Sequence, residues 1–451
     1  MRLAAPPVAA CYDCAMARFS PEAEAWDVLD HIDDFARLAA IGRPAEAAEA
    51  RRRIIAAAPH LGGWPASIQG LYEARGKGLV GGFTLPAVNI RGLTYETARA
   101  LFRAMIATDG LAIFELNRAE VGFTAQEPAE FSALVLAAAI AERYSGPVFI
   151  QADHMMANAT AFAADPEAET AALEELIRKA VSAGFFNIDI DSSTLVDLSF
   201  ERVNDQQRPN ARLTAHLARL VRGIEPAGLT ISIGGEIGEV GAHNSTAEEL
   251  VEYLQQFRAL AGEMRGLSKV SVQTGTTHGG VPLADGTIAE VAIDFETLGE
   301  LSRLSRERYG MAGAVQHGAS TLPEELFGRF PDVETAEVHL ATGFQNLVMD
   351  HAAFPAELRD RIHEHCSGAY ASERVPGEMT DRQFFYKVRK KAWGPFKAEI
   401  LALPPETRSE LGKALGARFE FLIRRLRAAG TRGLADRFVA DWRPSTASRG
   451  A

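Results

Sequence analysis

Residues 147–191, PVFIQADHMMANATAFAADPEAETAALEELIRKAVSAGFFNIDID, contain the pattern on which the fold turns. Two short runs rich in branched and aromatic residues, PVFIQAD (147–153) and FFNIDID (185–191), flank a segment, AALEELIRKAVSAG (171–184), whose apolar residues recur at helical spacing. A strand, a helix and a second strand in that order make a parallel pair, because parallel strands need a long crossover. Working outward, the rhythm repeats. FTLPAVNI (83–90) and LAIFEL (111–116) come before it. LTISIGGE (229–236), KVSVQTG (269–275), MAGAVQHG (311–318) and AEVHLAT (336–342) follow, with helical stretches such as AEELVEYLQQFRALAGEM (247–264) between them. Continuous apolar strands separated by helices predict a parallel sheet covered on both faces. Eight of them over about 260 residues predict an α/β fold of the (β/α)8 TIM-barrel type. A doubly wound sheet would want a glycine-rich phosphate fingerprint after its first strand, and GGFTLPAVNIRG (81–92) contains no GxGxxG.

The flanks have a different texture. Residues 1–64 are rich in Ala, Glu and Arg with helical patterning, as in PAEAAEARRRIIAAA (44–58), and are expected to form a helical extension. The barrel is expected over 65–350 and a helical C-terminal region over 351–451, from DRQFFYKVRKKAWGPFKAEIL (381–401) to ETRSELGKALGARFEFLIRRLRAAG (406–430). The 451 residues carry 47 Lys plus Arg against 59 Asp plus Glu, a formal charge of -12. That balance, without a basic block, argues against nucleic acid and anionic membranes as partners. No apolar run reaches the roughly 20 residues needed to cross a bilayer. The opening MRLAAPPVAACYDCAMARF reads as a non-signal, because its apolar stretch is short and broken by Asp13. Three cysteines do not make a disulfide framework, and Cys11 and Cys14 form a lone CxxC that reads as incidental. The expectation is a cytoplasmic protein.

In a barrel, catalytic side chains stand at the carboxyl ends of the strands. Here the third strand ends in Asp153-His154, the fifth in Glu236, the sixth in His278 and the seventh in His317. Imidazoles and carboxylates gathered at one mouth suit a divalent metal, with zinc the first choice, and three protein nitrogens with an open position is a catalytic rather than a structural pattern. A lone histidine would read as a core or surface residue, as His31, His216, His363 and His365 do. Glycines follow two of these ligands, in His278-Gly279-Gly280 and His317-Gly318-Ala319-Ser320. Successive free N–H groups with a hydroxyl form an anion cradle. Barrels often place a phosphate in the loops after strands seven and eight, where Ser320 and Thr342 stand. Asn89 and Glu115, at or near strand ends, are candidates for touching substrate, and Asp189 and Asp191 for orienting the metal ligands from behind.

The set ADH (152–154), GGEIGEVG (234–241), TGTTHGG (274–280), QHGAS (316–320) and VHLAT (338–342), with LPAVNI near the start, resembles the class II fructose-bisphosphate and tagatose-bisphosphate aldolases over about residues 65–350. The resemblance implies one divalent metal per chain on His154, His278 and His317, with Glu236 as an additional ligand. It implies a proton-exchanging Asp153, and a phosphate site at Gly279, Gly318, Ser320 and Thr342. It further implies a lyase acting on a phosphorylated sugar, and a homo-oligomer is expected. The chemistry fits: a Lewis acid polarises the ketose carbonyl, and a carboxylate such as Asp153 takes the C4 hydroxyl proton.

The departures are specific. The family's asparagine in the last strand is His339 here, and the acidic residue after its threonine is Gly343. The loop that carries a proton-moving glutamate is cut to GAHNST (241–246). His243 and His339 are therefore candidates for that base. The long loop after His154 and the long helical tail are similar to the non-catalytic accessory subunit of tagatose-bisphosphate aldolase. Two alternatives to a ketose-phosphate aldolase thus stand: an accessory subunit without turnover, and another metal-dependent barrel enzyme acting on a sugar. The intact histidine set weighs against the first.

Overall fold

All eight apolar runs form parallel strands. In the computed structural model, which describes residues 23–238, 243–275, 283, 293–375 and 379–442, they are β1 (Leu85–Asn89), β2 (Ile113–Asn117), β3 (Gly146–Met156), β4 (Asn187–Asp191), β5 (Ser232–Gly238), β6 (Lys269–Val272), β7 (Ala314–Gln316) and β8 (Glu337–Leu340). Each pairs with the next, and β8 pairs back with β1 through Leu85↔Glu337 and Ala87↔His339, which closes the sheet. The chain is a (β/α)8 barrel. A short strand, Gly63–Pro65, adds to the start of β3 from outside.

The alternation along each strand divides two environments. Val88, Phe114, Ile150, Ile188, Ile233 and Val338 are fully buried and belong to the apolar layer beneath the helices. The other face carries Asn89, Glu115, Gln151, Asp153, Asn187, Asp189, Lys269, Glu337 and His339, all buried and all polar. TIM-barrel interiors are ordinarily filled by branched apolar residues, so this lumen is unusual in its charge. Its cohesion comes from bonds that span the barrel. Lys269 Nζ of β6 donates to Gln151 Oε1 of β3 at 2.7 Å, to Asp189 Oδ2 of β4 at 2.8 Å and to Glu337 Oε2 of β8 at 2.6 Å. The Tyr72 hydroxyl donates to the other oxygen of Glu337. Gly234 on β5 makes the room, because a Cβ there would run into the Asp189 carboxylate and the Lys269 stem.

The helical flanks close the outside. Helices Ile32–Ile41 and Pro44–Ala57 pack on helix Pro128–Ala141, and helix Pro405–Arg425 lies along helix Thr94–Thr108. Between helix Ile32–Ile41 and helix Pro405–Arg425 lies a cavity of about 1210 Å³. Arg99, Glu96 and Arg408 are among its lining residues, with Arg408 paired to Glu96 at 2.6 Å. Near the mouth, the indole of Trp393 covers Gly92, where a β-carbon would collide with the ring. None of the described helices is long and apolar enough to cross a membrane.

Candidate active site at the barrel mouth

Two local irregularities aim the side chains at the mouth. The β3–β4 register shifts between Ala152 and Met155, and His154 inside that bulge has φ +41°. Bulges next to active sites re-aim a side chain, and a positive φ at a residue with a β-carbon is uncommon. A second shift separates Glu236 from Gly238 at the end of β5. There Gly238 leaves room for the Glu236 carboxylate and the Ser193 hydroxyl.

The gathered side chains form a chain of imidazoles edged by carboxylates. The rings of His154 and His317 have centroids 4.1 Å apart, and those of His317 and His339 4.2 Å. His154 Nδ1 lies 3.0 Å from Asp191 Oδ2 and 3.2 Å from Glu236 Oε2. His317 Nε2 lies 3.1 Å from Ser271 Oγ. His339 Nδ1 faces Glu115 Oε2 at 3.0 Å and Asp153 Oδ1 at 3.2 Å, while its Nε2 lies 2.9 Å from Glu337 Oε2. Ligand-capable atoms of Asp153, His154 and His317 lie within 4.8 Å of one another, as do those of His154, Asp191 and Glu236.

Electrostatics separates these groups. Burial opposes ionisation of Asp153, but the imidazoles of His154 and His339 outweigh it and hold the carboxyl well below its ordinary range. Burial disfavours the charged forms of His154 and His339, yet their carboxylate neighbours raise both well above the usual histidine value. Burial pushes Glu115 up to about 7 against the pull of His339. It lifts Asp189 to about 6 despite Lys269. For Glu337, Lys269 and His339 overcome burial and bring the carboxyl to about 2.

The positions singled out in the sequence divide as follows. Asp153, His154, Glu236, His317 and His339 are brought together. His278 and Gly279 lie outside the described residues. Gly318, at φ +70°, opens a short turn in which Ser320 Oγ accepts the backbone N–H of Ala341 at 2.8 Å, so the loops after β7 and β8 are tied together. Gly343 is needed there, since a Cβ would lie 2.7 Å from the Ser320 carbonyl oxygen. Thr342 Oγ1 accepts from Arg91 Nη1 at 3.3 Å. Asn89 Nδ2 donates to Glu120 Oε2 at 2.6 Å. His243 is half exposed, bonds the carbonyl of Asn244 and lies 3.9 Å from Glu249, and no contact links it to the histidine cluster among the described residues. Sequence reasoning missed Lys269, Glu337, Gln151 and Arg91. The signal available was a charged residue opening or interrupting an apolar strand, as in KVSV and EVHL.

The family model for fructose-bisphosphate aldolase class-II matches residues 76–392, from the approach to β1 into the tail. The chain belongs to the class II fructose-bisphosphate aldolase family. No curated protein matches at the sequence level. Among solved structures, a fructuronate–tagaturonate epimerase from Cohnella laeviribosi is similar at 12% identity and a TM-score of 0.52, covering 87% of this chain and 86% of its own. A probable tagatose 6 phosphate kinase from Sinorhizobium meliloti is similar at 15% identity and 0.52, covering 77% and 100%. A fructose-bisphosphate aldolase from Campylobacter jejuni is similar at 15% identity and 0.49, covering 82% and 96%. At these identities what the first two share with this chain is the fold. Within the family pattern, the histidines of the ADH and QHGAS motifs are the pair whose rings pack at 4.1 Å.

Proposed function

We propose that this family member is a metal-dependent aldehyde-lyase that makes or breaks a carbon–carbon bond in a phosphorylated ketose, with residues 65–350 as its catalytic unit. The observation that carries the reading is the convergence of His154, His317, Glu236 and Asp153 at the ends of β3, β5 and β7: His154 shares one cluster of donor atoms with Asp153 and His317 and a second with Asp191 and Glu236, and Asp153, Glu236 and His317 are buried. That donor set fits a divalent ion of the zinc class. His154, Glu236 and His317 would hold it together with His278. The ion supplies Lewis acidity toward a substrate carbonyl. Asp153, kept ionised by its imidazole neighbours, takes or returns the proton of the reacting hydroxyl. Asp191, bonded to the His154 ring, fixes its orientation. Both His339 nitrogens face carboxylates, so His339 holds a charge in place rather than acting as an unassisted base. Gly318, Ser320 and Thr342, with Gly279, are assigned to the phosphate, and Asn89 to contact with the substrate.

The test is a cleavage screen over ketose mono- and bisphosphates with metal analysis of the purified protein. We expect turnover of a ketose phosphate other than fructose 1,6-bisphosphate, with weak or no turnover of that sugar, and loss of activity in Asp153→Asn. Absence of a bound divalent ion, or cleavage independent of Asp153, overturns the reading. One observation favours a second substrate class. Arg91, held by Glu120 through Nε at 2.8 Å, turns Nη1 to Thr342 at 3.3 Å and Gln345 at 3.2 Å, and a guanidinium recognises a carboxylate as well as a phosphate. Epimerisation of a sugar acid in the same cup is therefore the outcome to score if every phosphate fails.

A further inference from the structure

The histidine that replaces the family's asparagine sits in a geometry of its own. His339 Nε2 lies 2.9 Å from Glu337 Oε2, the bond by which a carboxylate fixes the tautomer of a metal-ligating imidazole from behind. Its Nδ1 faces two carboxylate oxygens, Glu115 Oε2 at 3.0 Å and Asp153 Oδ1 at 3.2 Å, and it is this nitrogen that a metal ion would take in exchange for a proton. The three donors lie in a site 1–4% exposed and within 4.8 Å of one another, so the two carboxylates call for a cation between them, which a proton on the imidazole supplies when no metal ion displaces it. The spacing is informative: an ion about 2.1 Å from each donor would see ligand–ion–ligand angles of about 90–100° toward these pairs, as octahedral coordination requires. An independent feature borders the same cup. Asn89 stands in register with Glu115 on the neighbouring strand. It turns its Nδ2 to Glu120 and leaves its buried Oδ1 with no hydrogen-bond partner among the described residues. A carboxamide oxygen is a hard donor of the kind such an ion takes.

We propose that Glu115, Asp153 and His339, flanked by Asn89, form a second divalent-cation site, with Asp153 standing between it and the His154–His317 cup. The ion is of the octahedral, oxygen-tolerant class, such as manganese or magnesium. The proposal does not depend on the aldolase reading, since it rests on a different set of donors. Its occupation leaves the second oxygen of Asp153 for the proton transfer assigned above.

Equilibrium dialysis of the full-length protein against Mn²⁺, followed by metal analysis, tests it. The wild type should take up two ions per chain, and Glu115→Gln and His339→Asn one each, with circular dichroism confirming that the variants fold. Glu337→Gln, which touches neither ion, should weaken only the second, by about 10–100-fold. His317→Ala should keep the second ion while losing the first. A single ion saturating the wild type would mean that a proton occupies the cup, and would overturn the proposal. So would two ions persisting in both Glu115→Gln and His339→Asn. Binding of no ion at all would overturn this site and the metal reading of the first together, whereas failure of the cleavage screen alone leaves the two-ion count standing.

Discussion

Replacing Lys269 by Met removes the ammonium that neutralises the barrel lumen while keeping most of its aliphatic stem. Lys269 is 1% exposed, and its three donors go to Gln151, Asp189 and Glu337 at 2.6–2.8 Å. Hydrogen bonds to charged groups contribute about 1.5–3 kcal/mol each, but three on one nitrogen do not sum, because they share a single desolvation. Breaking a buried ion pair by removing one partner costs about 3–5 kcal/mol, and with two carboxylates stranded about 4 kcal/mol is expected. Urea unfolding at pH 7, followed by circular dichroism, measures it. The loss should depend on pH in a definite direction. Asp189 has a carboxyl at about 6 even beside Lys269. Without the lysine it rises further, so protonation relieves the variant as pH falls from 7 toward 5 and the gap to wild type narrows. Lys269→Met/Asp189→Asn should recover about 1–2 kcal/mol of the single variant's loss. A loss below about 1 kcal/mol, or a double variant less stable than the single one by the full cost of its second change, would show that the lumen is not held together by these charges.

Other perturbations probe the mouth and its supports. His154→Ala should strip most of the ion from the first cup, since one of its imidazoles is gone, and unchanged metal content would sink that ligand assignment. Asp153→Asn should lower kcat by about 10²–10⁴-fold at unchanged fold, and a variant turning over at wild-type rate would reassign the base. Gly343→Ala should cost about 1–3 kcal/mol through overpacking on the Ser320 carbonyl; a neutral result in thermal melts would mean that the two loops are not tied as described. Glu337 has its carboxyl at about 2, below its unfolded value, so its contribution is present above about pH 4.5 and lost as pH falls through 2. The stability gap between wild type and Glu337→Gln should therefore shrink over that acid range, and a gap constant with pH would refute the linkage.

The barrel was legible because each strand's outward face is a run of Val, Ile, Leu and Phe long enough to announce itself between amphipathic helices. His154, Glu236 and His317 were legible for a related reason: their places at strand ends follow from the strand boundaries. The lumen was not. Lys269 and Glu337 open their strands, where alternation alone assigns a charge to solvent, and their partners Gln151 and Asp189 are distant in the chain. Only closure of the sheet turns those positions inward together. The environment of His339 was hidden likewise, because Glu115 and Asp153 reach it from other strands. His243 illustrates the converse: a histidine in a mouth loop satisfied the pattern, but its half-exposed ring bonds its own loop.

The charged lumen also bears on how such a chain could be assembled or dissected. Gln151 and Asp189 come from β3 and β4, and Lys269 and Glu337 from β6 and β8, so each half of the barrel contributes part of a single electrostatic unit. A fragment ending after β4 would bury Asp189 without its cation, and one beginning at β5 would bring Lys269 and Glu337 without the amide and carboxylate that complete them. Barrels with greasy centres can be thought of as two half-shells that stick. Here the second half carries its own Lys269–Glu337 pair at 2.6 Å, but Asp189 and Gln151 meet their cation only when the circle closes, so a truncated or permuted form that leaves the circle open strands a buried carboxylate.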